Sequence, residues 1–195
     1  MAAIALALCV CAVVIFFLTG LNPLEVYEAV IDGAVGSNRR LWVTIRDALA
    51  LLLIAVAITP AFRMRFWNVG AEGQTLAGGL ATAAVMIYFG DRVPSALLMA
   101  MMLAAALLAG MLWGVIPAIF KAQWNTNETL FTLMMNYIAT QLVAFCIVFW
   151  ENPSGSNSVG IINQQTRAGW LGELFGLTYG WNLVIGVAVT AFVYF

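Results

Sequence analysis

The sequence predicts an all-α protein, a polytopic bundle of transmembrane helices, and two observations carry this prediction. Of its 195 residues, 64% are hydrophobic and only 9% are charged, and the mean hydropathy is +0.98. A soluble domain carries about 25% charged residues. The apolar residues also form runs of about 20, the length that a helix needs to cross about 30 Å of hydrocarbon. We therefore expect one transmembrane domain over residues 1–195.

The apolar runs predict about six spans. They cover residues 1–20, 41–61, 70–89, 94–120, 130–150 and 181–195. The first run has neither a basic leading region nor a small-residue cleavage site, which favours a span over a removable signal peptide. The last run is short and stops without a polar exit. It predicts a truncated span, and hence a chain that is the N-terminal part of a longer protein.

The connections between these runs differ in character. Residues 21–40 place Leu24, Tyr27 and Ile31 at helical spacing among acidic residues, which predicts a helix lying at the membrane interface. Residues 151–180 are rich in Gly, Ser and Asn and nearly uncharged, as an outward-facing loop is. Alternation then places the N-terminus, Arg63, Arg65 and Lys121 inside, and Arg39, Arg40, Arg92 and Arg167 outside. The positive-inside rule does not support this orientation well and leaves it open.

Small residues recur every fourth position along the fourth run. This spacing lets two helix backbones approach closely in lipid. The stripe predicts either packing within the chain or a face between two subunits. Its members are Ala106, Gly110, Gly114 and Ala118.

A polar stretch, FRMRFWNVGAEGQTLAGG (Phe62–Gly79), interrupts the apolar pattern. Charged side chains are costly at membrane depth unless they face protein or water, and irregular backbone is tolerated there only under the same condition. One interpretation is a broken helix or re-entrant segment near residues 62–75 that lines a transport pathway. The other is a plain turn, with Arg63 and Arg65 as interfacial anchors and Asn68 capping the next helix.

Several functions are disfavoured by what the sequence lacks. There is no histidine, the three cysteines have no paired spacing, and neither a metal nor another cofactor is expected. We expect the cysteines to be small buried side chains. The scattered basic residues and the net charge of -1 argue against nucleic acid. A membrane hydrolase is an alternative that the sequence disfavours, because no histidine is present to act as a base for a serine nucleophile. An ion-coupled secondary transporter, with the ion at Glu72, is the stronger one.

Three ordered stretches resemble one family. FWNVGAEGQ (Phe66–Gln74) and NETLFTLMMNYIA (Asn127–Ala139) are similar to the FNIGAEGQ and NEvlsTLMlNYIA signatures of the inner-membrane permease subunits of nucleoside and simple-sugar ABC importers. NPLEVYEAVIDGAVGS (Asn22–Ser37) resembles the first outer loop of that family. Trp67, inserted into the first signature, and Arg65, where the family tends to be small or neutral, depart from it. Family members are also longer, with further spans.

The resemblance implies a subunit that moves nucleosides or simple sugars inward by ATP-driven alternating access, in a bacterial-type inner membrane. It implies as partners an ABC ATPase subunit, a second permease subunit (identical or not) and an extracytoplasmic substrate-binding protein, besides membrane lipid. The sequence has no GxxxxGK[ST] phosphate loop, consistent with ATP hydrolysis on a separate subunit. The residues expected to line the pathway are Asn68, Gly70, Glu72, Gly73, Gln74, Asn136, Tyr137 and Gln141.

The amide side chains in this set keep two interpretations. With Trp67 and Tyr137 they can stack on and hydrogen-bond a nucleoside, and they would serve a pentose as well. The alternative for Asn136 and Gln141 is hydrogen bonding between helices.

The loop KAQWNTNET (Lys121–Thr129) lies between the fourth and fifth runs. Asn127 and Glu128 are suited to cap and charge the start of a helix. Trp124 can anchor the loop in the membrane surface or insert into a cleft of another protein. The family resemblance implies the second role, in a short coupling helix that docks on the ATPase. It assigns Lys121, Trp124, Asn127 and Glu128 to that contact.

Overall fold

The structure is a computed structural model that describes residues 2–174 and 180–194. Helices dominate the described part of the chain: α1 (Ala2–Thr19), α2 (Pro23–Val35), α3 (Asn38–Arg63), α4 (Ala71–Phe89), α5 (Ser95–Trp124), α6 (Glu128–Phe149) and α7 (Gly180–Tyr194). The predicted all-α fold is confirmed. The described residues form two compact units, one of residues 2–53 with 173–174 and 180–194, and the other of residues 54–172.

Four of these helices are long and apolar enough to cross a membrane: α1, α3, α5 and α6. The chain is therefore a multi-pass membrane protein. Helix α4 has 19 residues with polar ones in its first turn, and α7 has 15. Four of the predicted spans are therefore supported by helices of sufficient length and hydropathy, and the count of about six stays a prediction.

The first unit joins α2 to its neighbours by local hydrogen bonds. Helix α2 starts where the Asn22 side chain accepts from the backbone N–H of Leu24, with Pro23 at its first position. The Tyr27 hydroxyl donates to the carbonyl of Leu8 at 2.6 Å. Arg40 pairs with Asp32 at 2.6 Å, which ties the start of α3 to α2. The predicted helix between the first two spans is confirmed, and its place at the interface stays a prediction.

The second unit is built around α4, which packs against α5 and α6. Close approach of α4 and α5 depends on residues without bulk. A Cβ added to Gly78 would lie 3.3 Å from the carbonyl oxygen of Ala106, and one added to Gly114 would lie 2.6 Å from Nε2 of Gln74. Gly110 faces the backbone of Gln74. The small-residue stripe therefore packs within the chain, and only Ala118, at its end, is exposed.

The two ends of this second unit are distinct. At one end α5 finishes and α6 begins, and the segment that follows Arg63 lies beside the first turns of α6. At the other end the loop after α6 folds back, since the Asn163 side chain donates to the carbonyl of Met86 at 3.0 Å. Arg63, Arg65 and Lys121 thus share one end, and Arg92 and Arg167 the other, as alternation predicts. Which end faces the cytoplasm stays a prediction.

The expectation that the cysteines are buried is wrong for Cys9 and Cys11, which are exposed, while Cys146 is half-buried. Helix α1 has no buried residue among those described. The physical reason is that a small apolar side chain need not enter a protein core when lipid surrounds the helix.

Candidate functional site

Helix α3 ends in a hydrogen-bonded motif that turns the chain sharply. The backbone N–H of Phe66 donates to the carbonyl of Ala61 and that of Arg65 to Phe62, both at 3.0 Å. This pair of bonds is the Schellman C-cap, in which the donor of the shorter-range bond adopts the left-handed conformation. Arg65 occupies that position with φ +59°. Glycine is the usual residue there, because a Cβ is disfavoured at positive φ.

Replacing Arg65 by glycine is therefore expected to stabilise the protein by about 0.5–1 kcal/mol, since strain at positive φ exceeds the entropy that glycine loses on folding. Thermal unfolding in detergent is the measurement. Arg63→Gly, inside the last turn of the helix, is the matched control and should destabilise by a similar amount. Equal shifts for both variants would show that the φ value of Arg65 carries no strain.

The residues that follow form what we call the broken segment, residues 64–70, which is not helical. The N–H of Asn68 donates to the carbonyl of Phe66, and that of Val69 approaches the carbonyl of Trp67 at 3.1 Å. Both are tight turns of γ type. The side-chain oxygen of Asn68 accepts from the N–H of Gly70 at 2.9 Å, and Asn68 is 8% exposed. The segment is thus compact and partly buried.

Two side chains of α6 hold the broken segment and the start of α4. The Thr132 hydroxyl accepts from the N–H of Val69 at 3.2 Å, and the Asn136 amide donates to the carbonyl of Val69 at 3.0 Å. The oxygen of Asn136 accepts from the N–H of Gly73 at 2.9 Å. The first amides of a helix have no partner within it, so Asn136 acts as a cap supplied by another helix. Asn136 is 8% and Thr132 1% exposed.

The cap can form only because glycine stands just before α4, at Gly70, and at its third residue, Gly73. A Cβ on Gly73 would lie 2.8 Å from the Asn136 oxygen and 2.9 Å from the indole nitrogen of Trp113. A Cβ on Gly70 would lie 2.9 Å from Cβ of Thr132. Contacts below 3 Å require the neighbour to move, so both positions exclude larger residues.

The cap also fixes how deep α4 begins. Asn136 stands eight residues after Glu128, the first residue of α6. At a rise of about 1.5 Å per residue, Gly73 lies about 12 Å along α6 from that end. A plain turn joining two full spans would lie at the end of the helices. The geometry matches the broken-helix interpretation, in which irregular backbone is satisfied by protein at membrane depth.

The structure brings together only part of the predicted pathway set. Asn68, Gly70, Gly73 and Asn136 meet in one cluster, and Gln74 is half-buried beside Gly114. Glu72, Tyr137 and Gln141 are exposed and lie outside the cluster. Asn136 makes hydrogen bonds to residues outside its own helix, as one of the two interpretations predicts. No such bond is described for Gln141. Asn68 bonds Gly70 instead of capping α4 by itself.

Sequence reasoning missed two residues of this site, Thr132 and Trp113. Thr132 stands four positions before Asn136 and therefore shares its helix face, which is a signal that the sequence contained. Trp113 belongs to an apolar run, where its indole looks like ordinary packing.

The loop between α5 and α6 differs from the expected short coupling helix. Helix α5 continues to Trp124, Asn125 ends it in the left-handed conformation (φ 48°), and α6 begins three residues later. No separate helix lies between them, because Lys121 and Trp124 are in the last turn of α5. The predicted cap at the start of α6 is confirmed: the Asn127 side chain accepts from the N–H groups of Thr129 and Leu130.

The charges of this loop are paired with each other. Lys121 and Glu128 form an ion pair at 2.9 Å, with 12% of the Glu128 side chain exposed. Trp124 is 61% exposed and packs on Phe120 at a ring distance of 5.0 Å. The Trp124 ring is thus available for contact with another protein. No cluster of potential metal ligands occurs in the described residues.

Comparison with known proteins identifies the chain by family. Residues 41–195 match the model of the family described as branched-chain amino acid transport system, permease component. The chain is 27% identical over 168 residues to the nucleoside ABC transporter permease protein NupB of Lactococcus lactis, covering 83% of this chain and 46% of that one. It is 35% identical over 133 residues to the guanosine ABC transporter permease protein NupP of Bacillus subtilis, covering 68% and 38%.

A third relative is the glucose ABC transporter permease protein TsgB13 of Haloferax volcanii, 29% identical over 126 residues, covering 65% of this chain and 33% of that one. The chain therefore spans less than half the length of each of these relatives. No solved structure matches it. Because the family model covers most of its length, the chain belongs to the family of permease components of branched-chain amino acid-type transport systems.

Proposed function

We propose that this chain forms part of the membrane-spanning permease of an ABC importer that moves nucleosides inward by ATP-driven alternating access. The observation that carries the proposal is its similarity, over most of its length, to permeases named for nucleoside and guanosine transport. The relative named for glucose keeps simple sugars as a second substrate class. The ion-coupled transporter finds no support among these relatives. We infer a bacterial-type inner membrane as its location.

The proposal divides the work among subunits. ATP hydrolysis belongs to a separate ABC ATPase, since this sequence has no phosphate loop. A second permease subunit and an extracytoplasmic substrate-binding protein complete the assembly. The cluster of Asn68, Gly70, Gly73 and Asn136 is proposed to support the wall of the pathway. Glu72 and Gln74 stand beside it, Glu72 exposed and Gln74 half-buried, and they are the nearest polar groups for a passing solute. Tyr137 and Gln141 remain candidates from the adjoining exposed face of α6.

The test is uptake by the permease reconstituted in vesicles with its ATPase and binding protein. Radiolabelled guanosine is expected to enter only with ATP, and unlabelled glucose in excess is expected not to compete. Competition by glucose would instead indicate that the permease transports simple sugars. Uptake that needs an ion gradient and not ATP would contradict the proposal altogether.

A further prediction concerns the end of α5. We propose that Lys121, Trp124, Asn127 and Glu128 contact the ATPase, with Trp124 inserted and the other three holding the loop. Trp124→Ala is then expected to weaken ATPase binding about 30-fold, the effect of losing an aromatic hot spot of about 2 kcal/mol. Co-purification of the ATPase and its stimulated rate measure this.

Two variants sharpen that test. Trp124→Phe keeps a ring on Phe120 and should retain most of the binding. Glu128→Lys replaces the ion pair with two facing cations and should lower the coupling of ATP hydrolysis to uptake while the permease still inserts. Unchanged ATPase binding in Trp124→Ala would place the ring in the membrane surface instead.

A further inference from the structure

Trp113, near the α4 cap, has a buried side-chain donor whose hydrogen bonding is incomplete. Its indole nitrogen is buried and has no hydrogen-bond partner among the described residues. The same nitrogen and the side-chain oxygen of Asn136 lie 2.9 and 2.8 Å from one point, the site where a Cβ of Gly73 would be. A carbonyl oxygen has two lone pairs, and the only bond described at the Asn136 oxygen is the one from Gly73. A buried donor thus lies near an acceptor with capacity to spare.

Helix α5 is weakened at the residue that carries this indole. Pro117, buried in the interior of α5, has no N–H, so the carbonyl of Trp113, four residues earlier, has no α-helical partner. Gly110 and Gly114 flank Trp113, and glycine adds backbone freedom within a helix. Kinks in helices concentrate at such prolines. The position of easiest bending in α5 therefore coincides with Trp113.

The indole also borders open space. Trp113 lines an apolar groove of about 370 Å³ that α4, α5 and α6 form and that is open on one side. The other lining side chains that α4 and α5 contribute are all alanines and leucines, and Leu142, Cys146 and Trp150 line the side of α6. Because the groove side of the indole is not closely packed within the chain, the ring can shift there without first displacing a core neighbour.

We propose that the indole N–H of Trp113 is a second donor for the side-chain oxygen of Asn136, and that α5 bends at Pro117 to make this bond in a second state of the permease. The described state leaves a buried donor unpaired and the second state satisfies it. Trp113 is then a positioning residue, which acts on the start of α4 through Asn136. This inference rests on the proposed transport function, because it supplies one of the two states that alternating access requires.

The decisive variant is Trp113→Phe, which removes the N–H and keeps an aromatic ring. It is expected to lower ATP-driven guanosine uptake at least fivefold, because losing one neutral hydrogen bond shifts a two-state equilibrium by about that factor. Thermal stability of the nucleotide-free permease should stay unchanged, because the N–H has no partner in that state. A merely structural tryptophan would show the reverse, with stability lost first. Trp181→Phe, on α7, is the matched control and should keep wild-type uptake.

Hydrogen exchange of residues 68–76 provides the second readout, in the permease–ATPase complex with and without trapped ATP. The wild type should change protection there between the two conditions, and Trp113→Phe should lose that change. Pro117→Ala, which restores the helical N–H, should lose it too and covers the case in which Trp113→Phe fails to fold. Wild-type uptake and wild-type exchange in these variants would overturn the inference. A wild-type complex without ATP-driven uptake would instead overturn the proposed function.

Discussion

Replacing Gly73 by leucine is expected to abolish uptake, with a fall of about 100-fold or more, while the permease still inserts into the membrane. Two groups already lie within 3 Å of the position of the first added carbon, the Asn136 oxygen and the Trp113 indole nitrogen. Overpacking a filled site costs roughly 1–3 kcal/mol. Leucine also pushes Asn136 away from the N–H of Gly73, so the cap at the start of α4 is lost as well.

The same helix offers a matched control. Gly79 is exposed, and a Cβ added there meets nothing within 4 Å. Gly79→Leu should therefore transport like the wild type, and Gly73→Ala should fall between the two leucine variants, at about a tenfold loss. ATP-driven guanosine uptake at equal amounts of membrane-inserted protein is the measurement. Wild-type uptake by Gly73→Leu would remove the broken segment from the transport mechanism.

Replacing Asn136 by leucine is the second change with a large expected effect, and that effect is a loss in the free energy of unfolding. The Asn136 side chain accepts from the N–H of Gly73 and donates to the carbonyl of Val69 at the same time. A buried polar group left without its partner costs about 1–3 kcal/mol. With both groups unpaired, the loss in free energy of unfolding is expected to reach about 2–6 kcal/mol. Thermal unfolding in detergent, followed by size-exclusion chromatography, reports it.

One further variant separates the two halves of the amide, and another serves as a control. Asn136→Asp keeps an acceptor for Gly73 but loses the donor to Val69 and buries a carboxyl group, so it should remain strongly destabilised. Gln141→Leu changes an exposed amide on the same helix and should stay within about 0.5 kcal/mol of the wild type. A similar small change for Asn136→Leu would mean that water serves the backbone groups equally well.

Much of the fold could be predicted because lipid imposes a simple rule on the sequence. Each apolar run corresponds to a helix, and the ends differ from the predicted spans by a few residues. Helix α5 extends beyond its apolar run to Trp124. Lysine and tryptophan prolong a helix into the interface with their apolar stems and polar ends, so the apolar run alone underestimates its length. Asn125 in the left-handed conformation then stops it and leaves no separate coupling helix.

The site was predictable only where its signals are local. Glycines and amides within the FWNVGAEGQ stretch indicated an interruption, and Asn136 was indicated by polarity in an apolar helix. Its partners could not be inferred, because Gly73 and Asn136 are 63 residues apart and no local pattern encodes that pairing. Glu72 was expected in the cluster with its neighbours. It is exposed because successive residues of a helix point in different directions, and Gly73 faces α6.

We expect the start of α4, which lies about 12 Å along α6 from Glu128, to border a water-filled pathway. Thiol labelling of Glu72→Cys measures this, in a permease whose native cysteines at positions 9, 11 and 146 are replaced by serine and which is assembled with its ATPase. A charged, membrane-impermeant thiol reagent should modify this cysteine from the cytoplasmic side, and transported nucleoside should slow the reaction. Leu107→Cys, exposed on α5, should stay unreactive because lipid or protein covers it. A Glu72→Cys permease that resists the reagent from both sides and in every nucleotide state would show that no water-filled pathway reaches the start of α4.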